Sequence, residues 1–161
     1  MTDDDLHDLR PALADIARDL GALPAPERVQ LLVELGDDLP ELPQRLRDHP
    51  ELLEAVRECQ APVFVRAEVA GTGTDAPVTI HVSAAPQAPV TRGFAGIVTA
   101  GLAGATAGEV LAVPADLPSR LALADVVSPL RLQGMAGLLT RVRRQVAEAA
   151  GLHRPADGTD G

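Results

Sequence analysis

Leu6, Leu9, Leu13, Ile16, Ala17 and Leu20 recur at helical spacing, and Gly21 closes the run. Pro11 does not belong inside a helix, so the helix starts there or a short first turn precedes it. Pro26 then opens a second helix whose apolar side is Val29, Leu32, Val33 and Leu35, with Gly36 at its end. The short connection predicts that the two helices form a hairpin. From Asp37 the chain is broken by Pro40, Pro43 and Pro50, although Leu39, Leu42 and Leu46 can still anchor it. Pro50 to Arg57 reads as a short helix with Leu52, Leu53 and Val56 facing inward.

Beyond Cys59 the period changes. Pro62 holds the residue before it extended. Val63, Val65, Ala67 and Val69 alternate with Phe64, Arg66 and Glu68, which predicts a strand with one apolar face. After a loose turn through Gly71, Gly73, Asp75 and Pro77, Val78, Ile80 and Val82 alternate with Thr79 and His81 in a second strand. The two make an antiparallel hairpin. No stretch marks a third strand clearly.

Helical spacing then returns. Ser83 to Pro89 is a loop, and Thr91 starts a small-residue helix to about Gly104 with Phe94, Ile97, Val98 and Leu102 inside. Gly93, Gly96 and Gly101 weaken that helix unless other backbone packs closely against it. Thr106 and Glu109 form a capping box for a short helix to Val113. Leu117, Leu121, Leu123, Val126 and Val127 continue the apolar pattern, and Pro118, Ser128 and Pro129 interrupt it. The last helix, about Leu132 to Ala150, places Met135, Leu138, Leu139, Val142 and Val146 on one face. The fold class is α+β, a small antiparallel β-sheet packed against and flanked by several α-helices over residues 6–150. Residues 1–5 are expected to be a flexible acidic N-terminus and 151–161 a disordered tail.

Composition narrows the function classes. The 161 residues suit one domain, and its core must be aliphatic, because there are two Phe and no Tyr or Trp. Residues 1–60 hold fifteen acids against six Arg, which is the whole net charge of −9. That balance argues against a nucleic-acid binder. Arg141, Arg143 and Arg144 read as the solvated side of the last helix. The acidic half can steer the protein toward a basic partner surface. No apolar run is long enough for a membrane span. The acidic start is unlike a secretory signal, and a lone cysteine fits a reducing compartment, so a cytoplasmic location is expected.

Few residues can carry chemistry. No phosphate loop, Cys-x-x-Cys or His-Glu-x-x-His spacing is present. His7, His49, His81 and His153 are scattered, so no zinc site is expected. Cys59 remains, either as a buried small hydrophobe or as a reactive thiol on a loop between elements. Its thiolate would be opposed by Glu51, Glu54 and Glu58, with Arg57, Arg66 and Arg92 as the candidates to offset them. Cysteine–histidine catalysis would need His49 or His81 against the sulfur.

Four segments carry a resemblance. They are Leu31 to Gly36 followed by Pro40 and Pro43; Val56 to Val65 around Cys59; Ala88 to Ala95 around Arg92 and Gly93; and Val127 to Met135, which reads Val-Ser-Pro-Leu-Arg-Leu-Gln-Gly-Met. In this order and spacing the chain resembles the SufE-type cysteine desulfuration proteins, in an actinobacterial-like branch. The resemblance implies a persulfide carrier and activator, not a free-standing enzyme. Cys59 would take sulfane sulfur from a SufS-like cysteine desulfurase, whose own cofactor is pyridoxal phosphate, and pass it to a SufB-like iron–sulfur scaffold. It implies no cofactor or metal on this chain. Arg92 matches a family arginine of the docking surface and loop position, with a charge able to support the thiolate. The chain departs from the common family pattern at Glu58 before the cysteine, at Ala61 two after it, and at Ala85, Pro86 and Gln87, where many members carry Asp-Ser-Asp. The alternative is a non-catalytic interaction domain, or a desulfurase adaptor, whose cysteine is structural.

Overall fold

Strand pairing sets the frame of the structure, a computed structural model that describes residues 6–152. β2 (Val63–Val69) and β3 (Val78–Ala84) form the antiparallel hairpin that the alternation predicts, with Val65 opposite Val82 and Arg66 opposite His81. Val63, Val65, Ala67, Val78 and Val82 are buried on one face, as a period of two requires. A third strand is present after all. β1 (Glu54–Ala55) pairs antiparallel with β2, Glu54 opposite Val65, giving the order β1-β2-β3.

This strand replaces the short helix expected from Pro50 to Arg57. Only Pro50–Leu52 is helical there, as one 3-10 turn, and Leu52 is exposed instead of inward. A helix so short gains little from its own hydrogen bonds. Extended backbone can instead satisfy its amides against β2. β1 is so short that Ala67 N–H of β2 has no strand neighbour, and the side-chain oxygen of Gln145 accepts from it at 2.7 Å.

Helices cover the buried face. They are α1 (Pro11–Gly21), α2 (Ala25–Asp37), α3 (Gln44–Arg47), α4 (Pro89–Gly101), α5 (Ala107–Leu111), α6 (Leu117–Arg120) and α7 (Pro129–Ala149). Two start earlier than the hydrophobic pattern suggests. Pro89 stands in the first turn of α4. In α7, Ser128 Oγ accepts from Arg131 N–H at 3.3 Å and Pro129 takes the first turn, so those residues begin the helix instead of interrupting the chain. α5 has the predicted capping box between Thr106 and Glu109. The expectations for residues 1–5 and for the tail from His153 lie outside the described residues.

α4 is the central element. It packs against β3, α1, α2 and α7, and Phe94, Ala95, Ile97 and Val98 are fully buried. A helix apolar on all sides belongs in such a place. α1 and α2 touch as expected of a hairpin, but the closest approach is between α2 and α4. A β-carbon at Gly96 would lie 2.1 Å from the Leu35 carbonyl oxygen, and one at Gly93 would lie 2.2 Å from that of Leu32. These contacts are with backbone, so no rotamer change relieves them. Gly96→Ala is therefore expected to cost about 3 kcal/mol or more, seen as a Tm lower by on the order of 10 °C. A Tm within a degree or two of wild type would contradict the close crossing.

Candidate functional site

The turn from β1 into β2 carries the thiol. Val56 N–H donates to Val63 O at 2.9 Å and closes the loop, and Cys59 N–H donates to Val56 O at 3.1 Å inside it. The far side is fixed where Ala85 N–H donates to Pro62 O at 3.2 Å. Cys59 is thus at the tip of a β-hairpin, a tighter setting than a helix-to-strand junction.

The tip rests on α7. A β-carbon at Gly134 would lie 2.8 Å from Cys59 Sγ, and one at Gly137 would lie 2.5 Å from a Glu58 carboxylate oxygen. One helical turn whose face toward the hairpin is bare, with Gly134 and Gly137 three residues apart, is therefore the seat of the loop. Beside the half-buried sulfur is a hollow of about 170 Å³ lined by Glu58, Gln60, Gln87, Thr91, Leu130 and Arg131 among others. Leu130 is an exposed large hydrophobic residue at its rim.

Charge fixes the hairpin to the same helix. Glu54 faces α7, where Gln145 Nε2 donates to it at 2.9 Å, Arg144 pairs with it, and Arg141 Nε stands 3.4 Å away. Partial burial would raise the Glu54 carboxyl, but Gln145, Arg144 and Arg141 outweigh it and hold the group below the usual carboxylate range. Arg141 Nη1 is also 2.9 Å from one oxygen of Glu58 and 3.0 Å from the other. That ion pair holds Glu58 below the usual range too. The cluster corrects the reading of Arg141 as part of a solvated face. Arg144 is exposed as expected while it pairs with Glu54, and Arg143 is partly buried, where it donates to Leu111 O.

The thiol itself is pushed up, first by burial, then by the Glu58 charge, with Arg141 acting the other way. In this conformation Cys59 is a protected neutral thiol. Arg141 is the cation that reaches it. Of the three arginines expected to do so, Arg57 is exposed, and Arg66 lies on the outward side of β2. Arg92 sits in the first turn of α4, donates to Ala84 O at 2.9 Å, and lines a different hollow with Leu39, Leu42 and Arg47. His49 pairs with Glu51, and His81 shares a 3.0 Å hydrogen bond with Glu68, which Arg45 also holds. Neither histidine lines the cysteine hollow. Among the described residues, no group of three or more His, Cys, Asp or Glu could hold a metal, and no helix is long and apolar enough to cross a membrane.

Sequence reasoning found Cys59 and missed its seat. Gly134 and Met135 stood inside a recognised segment without a role, and for Arg131 the resemblance implied a structural or surface role and not a chemical one. Gly137 and Arg141 gave one signal: with Gly134 they fall at three- and four-residue steps along one helical face.

The site and fold define an α+β domain that presents a single sheltered thiol from a hairpin tip. Residues 14–146 match the family described as SufE, the Fe-S metabolism associated domain, and the chain belongs to it. Uncharacterised SufE-like proteins from two strains of Mycobacterium tuberculosis are 39% identical over 137 residues, which is 85% of this chain and 92% of theirs. A SufE-like protein of Rhizobium meliloti is 26% identical over 120 residues, covering 74% of this chain and 82% of that one. The solution structure of a hypothetical protein from Thermus thermophilus superposes with a TM-score of 0.74 at 33% identity, covering 88% of this chain and 97% of that chain.

Two outcomes test the geometry. Gly134→Ala should force the sulfur off its seat, so Cys59 alkylation by iodoacetamide should speed up several-fold while the helix gains from Ala; an unchanged rate would contradict the contact. A carboxylate with a lowered folded-state pKa stabilises above its unfolded value and loses that contribution as pH falls through the folded one. Tm should therefore fall less between about pH 7 and about pH 3.5 in Glu54→Gln than in wild type. An equal fall would remove Glu54 from the acid response.

Proposed function

We propose that this protein is a sulfur acceptor and activator for a cysteine desulfurase, carrying sulfane sulfur as a persulfide on Cys59 to an iron–sulfur assembly scaffold. The observation that supports it is the setting of the thiol. A single nucleophile stands at a hairpin tip, held by glycine contacts and side-chain charge, beside a hollow of about 170 Å³. That volume has room for one more sulfur atom. Membership of the SufE family, with its association with Fe-S metabolism, points the same way.

The chemistry is thiol exchange. Cys59 leaves its seat, gives its proton to water, and the thiolate attacks the outer sulfur of a cysteine persulfide on the desulfurase. A new sulfur–sulfur bond forms on Cys59. The old bond breaks, and its electron pair leaves with the partner's cysteine as thiolate. Nothing is oxidised or reduced overall, so neither a metal nor a second cysteine is required. The same exchange, run onto an acceptor, unloads the sulfur.

The partner is a SufS-like enzyme bearing pyridoxal phosphate, and the recipient a SufB-like scaffold, in the cytoplasm. The acidic first sixty residues suit a basic docking surface. Arg92 belongs to docking and not to thiolate support, since it lines a hollow apart from Cys59. A second reading, an adaptor with a structural cysteine, draws on the half-buried, protonated state of the thiol.

One experiment separates them. Incubation with a cysteine desulfurase and cysteine should add the mass of one sulfur atom to the wild type and none to Cys59→Ser, with Tm unchanged. Equal loading of the variant, or none on the wild type while the desulfurase turns over, would overturn the carrier role.

A further inference from the structure

The hairpin is held to α7 unequally along its length. At its base, Glu54 has Arg144, Gln145 and Arg141. At its tip, Glu58 has one side-chain partner among the described contacts, Arg141. Arg141 is built in: its side chain is 15% exposed, and Nη1 also donates to Gly137 O at 3.0 Å, one turn back on its own helix. Glu58 is the more exposed half, with its side chain 39% exposed and its carboxylate over the bare α-carbon of Gly137. The strand base is thus fixed three ways. The segment next to the thiol has one ion pair to α7, which water can reach, beside its packing on Gly134 and Gly137.

We infer that Arg141 is a positioning residue for Cys59: through Glu58 it latches the 56–62 loop onto the Gly134–Gly137 seat, and a cation on a docking partner that competes for Glu58 releases the thiol. The functional half of this inference rests on the proposed acceptor role. With the latch closed, Glu58 stays beside the sulfur and the thiol keeps its proton. Drawing Glu58 away removes the nearby negative charge and the shelter together. Arg141 then retains Glu54 as a counter-ion, so opening does not strand a buried cation. The acidic half of the chain makes a basic partner surface the natural competitor.

The test is Cys59 alkylation by iodoacetamide on the full-length chain, followed as a function of pH. The charged groups facing the thiol are Glu58 in its own loop and Arg131 and Arg141 on α7, while the exposed Arg57 acts on Glu58; the α4 side contributes Gln87, Ala88 and Thr91, which carry no charge. At the alkaline plateau the sulfur is fully thiolate, so the rate no longer depends on the ionised fraction. In Glu58→Gln the lower thiol pKa can only reduce the rate, so a rise there reports access. Glu58→Gln, Arg141→Gln and Gly137→Ala should each raise the plateau by about threefold or more, the range of a partly exposed ion pair. The Glu58→Gln, Arg141→Gln double variant should go no further than either single change. Gly137→Ala keeps both charges and favours the helix, so it separates the latch from general loss of stability. Added salt should raise the wild-type plateau and leave that of Glu58→Gln flat.

Plateaus equal to wild type in all three variants, or single effects that multiply in the double variant, would overturn the latch. No desulfurase is present, so the two readings fail separately. Freed thiols that take no sulfur from an active desulfurase would sink the acceptor role and leave the latch standing. Sulfur uptake by wild type with no change in alkylation among the variants would do the reverse.

Discussion

The close approach of a hairpin loop to helix α7 is the constraint on which the site depends. Side chains normally hold two backbones apart, and Gly134 and Gly137 remove that barrier over one turn. The sulfur and the neighbouring carboxylate then occupy space that β-carbons would have filled. The same helix presents Met135, Leu138, Leu139, Val142 and Val146 to the core, and closes the open edge of β2 with Gln145. Core packing therefore fixes where the seat is, and the seat fixes where the thiol is.

Electrostatics in this arrangement favour storage over attack. Burial and Glu58 both disfavour the thiolate, and Arg141 offsets them only in part, because its charge is already engaged by two carboxylates. Each unit by which a thiol pKa rises corresponds to about 1.4 kcal/mol between the neutral and charged forms. A nucleophile kept in this state is quiet in isolation and gains reactivity by moving. The proposed carrier role needs that order of events, since a thiol reactive at all times would be lost to other electrophiles.

Much of this was legible in the residues. β2 and β3 were readable from strict alternation, the face of α7 from its period, and Cys59 from its position before Pro62. The small-residue helix α4 also announced its need for close neighbours through Gly93 and Gly96, and α2 supplies them. β1 was not readable, because a strand of two residues has no period and its existence rests on pairing with β2. Helix starts at Pro89 and Pro129 were missed for a related reason: proline is both a breaker and a first-turn residue, and only the cap decides. Arg141 was hidden because an arginine on a helix looks solvated until a distant carboxylate is folded against it. Arg92 stood out in a recognised segment, yet it lines a hollow that does not include Cys59.

The central claim is that Cys59 lies directly on the bare surface of α7 at position 134. A β-carbon there lies 3.8 Å from Cys59 Cβ and 2.8 Å from its Sγ, within the reach of a disulfide. The direct measurement is oxidation of Gly134→Cys under mild conditions, followed by thiol titration and intact mass. An intramolecular disulfide, formed in high yield in the monomer and leaving no free thiol, is the result expected. Two thiols that stay free, or that pair only between molecules, would mean the loop does not rest on the helix.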